Sequence, residues 1–375
     1  MKLRGASTWQ RRFAFALPIL AVIAAGAWLV AARHEPEPVH GPDYAALLKA
    51  WQDHSGIDRP TVGTVTRPLT LPDDHGFHSG AAAEQWDLAM LLESTDRSER
   101  YVLRARFDRL GASAPRRTSR WAAGGVVRRR LTLGLIGRDS LRTHEHFDRV
   151  ALGLSGFESS PPALWTLSDR LEWAGGDSGR LNVSGRGTRA DLRFSAISAA
   201  SELDDSGALG GQWRAYLIPA LRVEGMLGDG ERDVAVSGRG WFGHGWGAVP
   251  PVGGQLYFNH WILQLSDDSA LAIVQWRRRD GSGRPSYDAV VIDMSGHAVS
   301  RDASDLELQA DGSLSGPPPH WRLRWPGERM ELDIRAVIEQ STRNVAGSAD
   351  IAVRVDGTRD AKALTGWGFM ELDGY

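Results

Sequence analysis

The residues with the clearest chemical potential lie close together. Trp241-Phe242-Gly243-His244-Gly245-Trp246, followed by Tyr257-Phe258-Asn259-His260-Trp261, places eight aromatic rings or imidazoles within 21 residues. In an extended chain alternate side chains share a face, so His244 goes with Trp246, and Tyr257 with Asn259 and Trp261. Facing strands would bring the two sets together as the wall of one elongated apolar cavity. The imidazole, the phenol and the amide would be its few polar tips. Such a wall suits a long, apolar, unsaturated ligand. Trp241, Trp246, Asn259 and Trp261 are its lining candidates, and His244 and Tyr257 are the groups able to move a proton. A packed seam with bulge glycines accounts for the same residues without any ligand.

Other motifs carry less. Gly238-Arg-Gly240-Trp-Phe-Gly243 has the spacing of a dinucleotide fingerprint, but it follows a hairpin strand and opens no helix. Gly176-Asp177-Ser178-Gly179 looks like a serine-protease nucleophile loop, yet no matching His and Asp segments precede it, and it reads as a turn. His144 and His146 alternate on one strand, and His75 and His78 sit three apart. Neither pair has acidic partners at metal-ligand spacing, so no metal is expected, and no cofactor either.

Composition narrows the classes further. The 375 residues hold 44 Lys+Arg and 46 Asp+Glu, a net charge of −2, and no cysteine. Disulfides, zinc–cysteine sites, iron–sulfur clusters and thiol nucleophiles are therefore excluded. A near-neutral balance without a basic block leaves no electrostatic footprint for nucleic acid.

The elements that must position these residues are strands. Phe13–Ala32 comes first, twenty residues with no charge behind Lys2, Arg4, Arg11 and Arg12, and its length matches a membrane-crossing helix. It reads as a transmembrane anchor or a signal segment after a cytoplasmic stretch, residues 1–12, with the bulk of the chain in the periplasm. Residues 33–64 form a linker with one short amphipathic helix over Pro42–Trp51. Beyond it, apolar residues alternate: Tyr101, Leu103 and Phe107; Leu131, Leu133 and Leu135; Leu221, Val223 and Leu227; Ile351, Val353 and Val355 before Asp356-Gly357. Asp229-Gly230, Asp280-Gly281 and Pro326-Gly327 are hairpin signals between such runs. The fold class is all-β, with two antiparallel barrels in tandem, residues 65–248 and 249–375, divided at the Gly/Pro-rich stretch 247–254.

At this point the sequence resembles a family. Asp74-His75-Gly76-Phe77-His78 and Glu84-Gln85-Trp86 look like the Asp-His-Gly-x-His and Glu-Trp-Trp opening of the carotenoid 1,2-hydratase and AttH family. Ser119-Arg-Trp121 and Gly153-Leu154-Ser155-Gly156 fall where that family has a Ser-x-Trp and a Gly-Leu-x-Gly segment. Trp241-Phe-Gly243-His244-Gly245-Trp246-Gly247 resembles its Trp-x-Asp-His-Glu-Trp-Gly block, and Gly366 to Tyr375 its Gly-x-Gly-x-x-Glu-Leu-x-Gly-Tyr ending. The resemblance covers about residues 65–375. It implies two lipocalin-like domains, adds His75 and Trp86 to the ligand-binding candidates, and points to His244 with Trp246 and Tyr257 with position 259 for catalysis.

Hydrating an isolated alkene needs a protonated acid in a dry site and aromatic faces to shelter a cation. The family's acid position is Asn259, and the two acids of its Trp-x-Asp-His-Glu block are Gly243 and Gly245. Asp74 and Glu84 survive as acids, far away in sequence. Two readings follow. The first is a membrane-anchored binding protein for an isoprenoid or lipid, with an ABC-type transporter permease as the partner the resemblance implies. The alternative is a carotenoid or terpenoid hydratase, or a related hydrolase, working through His244 and Tyr257.

Overall fold

The computed structural model describes residues 67–110, 125–137, 140–150, 153–185, 187–203, 213–228, 230, 232–247, 256–293, 295–311, 316–338 and 348–375. The first sheet is built from β1 (Ala83–Ser94), β2 (Arg100–Leu110), β3 (Val126–Leu135), β4 (Ser140–Arg149), β5 (Gly156–Ser159) and β6 (Pro162–Trp165). It continues through β7 (Arg170–Trp173), β8 (Ser178–Gly185), β9 (Thr188–Ala196), β10 (Ser201–Leu203), β11 (Trp213–Gly228) and β12 (Asp233–Gly247). The second contains β13 (Leu256–Leu265), β14 (Ala270–Arg278), β15 (Ser286–Ile292), β16 (Ala298–Arg301) and β17 (Glu307–Asp311). Strands β18 (His320–Trp325), β19 (Met330–Ala336), β20 (Ala349–Arg359) and β21 (Lys362–Leu372) complete it.

Both sheets are antiparallel and share one plan. The orders are β4-β3-β2-β1-β12-β11-β9-β8-β7-β6-β5 and β16-β15-β14-β13-β21-β20-β19-β18-β17, so in each the first strand pairs with the last. Each is a curled sheet, a half-barrel of the lipocalin-like kind. Among the described residues no ladder joins β4 to β5 or β16 to β17. Two hairpin signals sit where expected, with Gly281 N–H bonded to Arg278 O and a 3-10 turn over Pro326–Glu328. Asp356-Gly357 does not turn. β20 runs through it to Arg359, because Gly357 lets the Glu331 carbonyl approach closely, and the reversal falls at Asp360 and Ala361, both with positive φ.

The membrane-anchored architecture needs correction. The span Phe13–Ala32 and the helix over Pro42–Trp51 lie outside the described residues. Among the described residues no helix is long and apolar enough to cross a membrane, and the helical elements are two single 3-10 turns. The described fold is strands whose apolar faces are spent on protein cores, so it gives no basis for inner-membrane placement, a periplasmic bulk or a membrane-embedded permease partner.

Those cores are three. Trp86, Leu88, Phe107, Phe242 and Trp246 fill the curl of the first sheet. Trp261, Trp321, Leu323 and Trp325 fill the curl of the second. The third joins the outer faces, with Ala89, Val102 and Trp241 packed against Ala270, Ile292, Ala352 and Phe369. Charge reinforces this seam. Arg104, on β2, donates to Asp87 of its own sheet at 3.0 Å and to Asp350 of the other at 2.7 Å, and contacts Glu371 at 3.3 Å. Its guanidinium also lies over the Trp241 and Phe369 rings, and Arg130 reaches Asp350 at 2.8 Å. Removing one partner from such a buried network strands the others, which costs about 3–5 kcal/mol. Arg104→Ala is therefore expected to destabilise the chain by that amount in urea unfolding, and to split one cooperative transition into two as the sheets uncouple.

Candidate active site

Strand β12 is the organiser. Its residues alternate, with Phe242, His244 and Trp246 directed into the first curl and Trp241 directed to the seam between sheets. Register then sets the neighbours. Glu84 of β1 lies opposite Trp246 and Trp86 opposite His244. On the other side Arg214 and Tyr216 of β11 face Trp246 and His244, and on β2 Arg109 lies opposite Glu84. Opposed residues of antiparallel strands share a face, so two rows cross the interior. One row is Arg109-Glu84-Trp246-Arg214, and the next is Phe107-Trp86-His244-Tyr216.

A cap closes the end of these rows. The 3-10 turn Asp73–His75 leads through Gly76 and Phe77 to His78. Asp74 fixes it, accepting from the Thr70 N–H at 2.7 Å and forming an ion pair with Arg67. Burial pushes the Asp74 carboxyl up, but Arg67, the Thr70 N–H and His78 outweigh it and hold the group at about 2.

Four titratable groups converge beneath the cap. His78 Nδ1 lies 2.7 Å from Glu84 Oε1, and His244 Nε2 lies 3.1 Å from the same oxygen. The outer nitrogens are committed elsewhere: His244 Nδ1 to the Asp74 carbonyl at 2.8 Å, His78 Nε2 to the Asp74 carboxylate at 3.1 Å. A carbonyl and an ionised carboxylate only accept, so both outer nitrogens must donate. Glu84 Oε1 also accepts from the His78 backbone N–H at 3.1 Å; were both rings neutral and Glu84 ionised, two ring lone pairs would still be turned toward that oxygen. One further proton, on either ring or on Glu84, would satisfy these contacts. Burial would raise Glu84, but the His244 and His78 hydrogen bonds and the Arg109 charge bring its carboxyl below the usual range. Burial lowers His244, against the pull of Glu84. Both groups are thus drawn toward their deprotonated forms inside an aromatic box. Trp86 stacks on His244 at 4.7 Å and Trp246 on His78 at 3.9 Å.

His78, Glu84 and His244 also offer three donor atoms within 4.8 Å of one another, a set able to hold a metal ion. Their spacing fits a proton better. Donors around a tetrahedral zinc stand about 3.3 Å apart by its bond lengths, whereas the His78–Glu84 contact is a hydrogen bond at 2.7 Å. Glu84 is already paired with Arg109 at 3.2 Å.

The other expected site residues separate. His75 lies next to the cluster but is locked as a neutral ring. Nε2 donates to Gly176 O at 3.0 Å, Nδ1 accepts from the Tyr216 hydroxyl at 2.6 Å, and the ring stacks on Trp173 at 3.6 Å. Trp86 spends its N–H on the His75 carbonyl. Trp241 lies on the far face of β12 from His244, as their odd and even positions require. Tyr257, Asn259 and Trp261 belong to the second sheet, because β13 pairs with β14 and β21 and never with β12. Trp261 is core, edge-on to Trp321. Asn259 is a peg for the chain end: its oxygen accepts from Asp373 N–H at 2.9 Å and its amide donates to Gln275 at 2.7 Å. Tyr257 packs under Gly374, which has φ +74 and no room for a side chain above that ring. The single elongated pocket expected between Trp241, His244, Trp246 and Tyr257 is thus replaced by two packed interiors. Beside His75, Trp86 and Trp173 lies a space of about 10 Å³, and a cleft of about 540 Å³ between the sheets, along Leu91, Gly238, Gln264 and Trp367, touches none of the four.

Tyr216 and Arg109 carried no signal in the sequence, while Glu84 and His78 were visible there as a distant acid and a motif histidine without a place in the site. Gly243 and Gly245 do not disarm the site. Both point away from His244, and a side chain at Gly245 would strike the Trp213 ring. The acid comes instead from β1, and its signal was the Asp74…His78…Glu84 spacing itself.

Two curled antiparallel sheets with a buried acid–base cluster in the first define a lipocalin-like class of fold. Within it, a family model described as AttH-like matches residues 62–375, and the chain belongs to that family. No curated protein matches it. Among solved structures, a putative AttH from Nitrosomonas europaea is similar at TM-score 0.69 and 19% identity, covering 83% of this chain and 98% of that one. Kievitone hydratase from Nectria haematococca is similar at TM-score 0.59 and 12% identity, covering 83% and 94%. CghA with Sch210972 is similar at TM-score 0.55 and 14% identity, covering 85% and 97%. At these identities the likeness is one of fold.

Two outcomes follow. Burial, against the pull of the Gly176 carbonyl, holds His75 down to about 4 from 6.5. A depressed histidine stabilises the fold fully above 6.5 and loses that contribution as pH falls toward 4, up to about 3 kcal/mol. Melting temperature should fall across that window, and His75→Gln should flatten the fall. Asn259→Asp replaces a buried donor with an unpaired charge facing Gln275. It should cost about 2–4 kcal/mol in urea unfolding and create no new activity.

Proposed function

We propose that the chain is a hydratase-type enzyme for an isoprenoid or terpenoid-like alkene, with Glu84, His78 and His244 as its proton relay. The observation that carries this reading is a buried seat for one exchangeable proton at Glu84 Oε1. That seat is formed by a fully buried carboxylate and two oriented imidazoles. Water addition to an alkene requires that inventory. The relay proton forms the new C–H bond as the π bond breaks, the cation left on the second carbon is captured by water, and the proton released from that water returns to the relay. Trp86, Trp246 and Tyr216 present faces that shelter positive charge and keep bulk water from the acid.

His78 is the relay's route to solvent, its side chain 16% exposed while Glu84 and His244 are sealed. On the same side of the cap Phe77 and His78 are both half-buried. The resemblance to carotenoid 1,2-hydratases and the fold shared with kievitone hydratase support the assignment to water addition. Tyr257 has no part in it.

The reaction is read by incubating the purified chain with acyclic isoprenoid alkenes in H2-18O and following incorporation of label into a tertiary alcohol. Wild type is expected to incorporate label, and Glu84→Gln, which keeps the shape but not the acid, to lower the rate by about 10²–10⁴-fold. Label incorporation unchanged in Glu84→Gln, or none by wild type across such substrates, refutes the reading.

A further inference from the structure

Beside the relay stands a cation with hydrogen bonds left to make. Arg214 is 8% exposed, and only its Nε is used, donating to Glu202 at 2.7 Å. Nη1 and Nη2 are buried without a hydrogen-bond partner among the described residues, and the same holds for Nε1 of Trp246. Arg214 and Trp246 are opposed in the β11–β12 register, and the guanidinium lies 5.6 Å from the indole centroid. Three unmet donors, two of them on a cation, therefore sit on one row of the interior, two places along from Glu84. A buried donor without a partner is costly, and a planar guanidinium edge matches the paired oxygens of a carboxylate or phosphate.

We propose that Arg214 and the Trp246 indole N–H bind an anionic end group of the substrate, a carboxylate or a phosphate. That the anion belongs to the substrate rests on the hydratase reading; that the site takes an oxyanion does not. Charge permits it. Arg67 offsets Asp74 and Arg109 offsets Glu84, so the cluster sets no uncompensated negative charge against a bound anion. His78 stacks on Trp246, so an anion held at the indole edge places the attached chain against the relay.

Three ligands of one carbon skeleton test this on the full chain: farnesol, farnesoate and farnesyl monophosphate, with affinity read by quenching of tryptophan fluorescence. Wild type should bind at least one anion roughly 10- to 100-fold more tightly than the alcohol, the range for a charge-assisted hydrogen bond. Which anion wins distinguishes the two sources. Arg214→Gln should bring the anions to the level of farnesol without changing farnesol itself. Arg214→Lys, which keeps the charge without the fork, should fall between and serves if the Gln variant does not fold. Glu84→Gln should keep the anion preference while losing turnover, so failure of the relay leaves this proposal standing. Equal affinity for all three ligands in wild type, or an anion preference that survives both Arg214 variants, overturns it.

Discussion

From Gly240 to Gly247 strand β12 has both faces buried, and the two-residue period of its side chains divides the molecule's work. Phe242, His244 and Trp246 enter the first curl, and Trp241 crosses to meet Phe369 of the second sheet. Because β12 is paired along its length with both β1 and β11, a shift of one residue would exchange these sets, emptying the seam and expelling the histidine from the interior. The fixed register sets Glu84 opposite Trp246, Tyr216 opposite His244, and thereby the relay's geometry.

The relay itself is a problem in proton accounting. Asp74 acts on it twice: its carbonyl directs His244 and its carboxylate directs His78, so both rings turn their remaining nitrogen toward one oxygen of Glu84. Arg67 keeps Asp74 ionised and so keeps it an acceptor. The cap is therefore part of the acid–base chemistry, and its sequence places a carboxylate four residues before the histidine it orients. In the second sheet the corresponding interior holds Asn259 and Gln275 bonded to each other. An amide pair anchors the chain end and has no proton to give.

The strand content was legible in the sequence because alternation is a local signal. The hairpins at Asp280-Gly281 and Pro326-Gly327 were legible for the same reason. Closure was not, since whether β4 meets β5 depends on partners far apart in the chain. The site was half legible. His244 and Trp246 were correctly placed on one face, and the same parity argument excludes Trp241 from it. The pairing of β12 with β1 was the missing fact. Without it Glu84, 160 residues before His244, looked too distant to supply the acid, and Tyr257, thirteen residues after it, looked near. Sequence distance misled in both directions, as it does in any sheet where the first strand pairs with the last.

As a relay, His78, Glu84 and His244 hold a proton beyond those of two neutral rings and an ionised carboxylate. Nitrogen-15 NMR of the histidine rings, with carbon-13 observation of the Glu84 carboxyl, measures this directly at neutral pH. One extra proton is expected in the cluster, seen as a doubly protonated ring or a protonated carboxyl, with a changed ring pattern in Glu84→Gln. Two singly protonated rings beside an ionised Glu84 would contradict it.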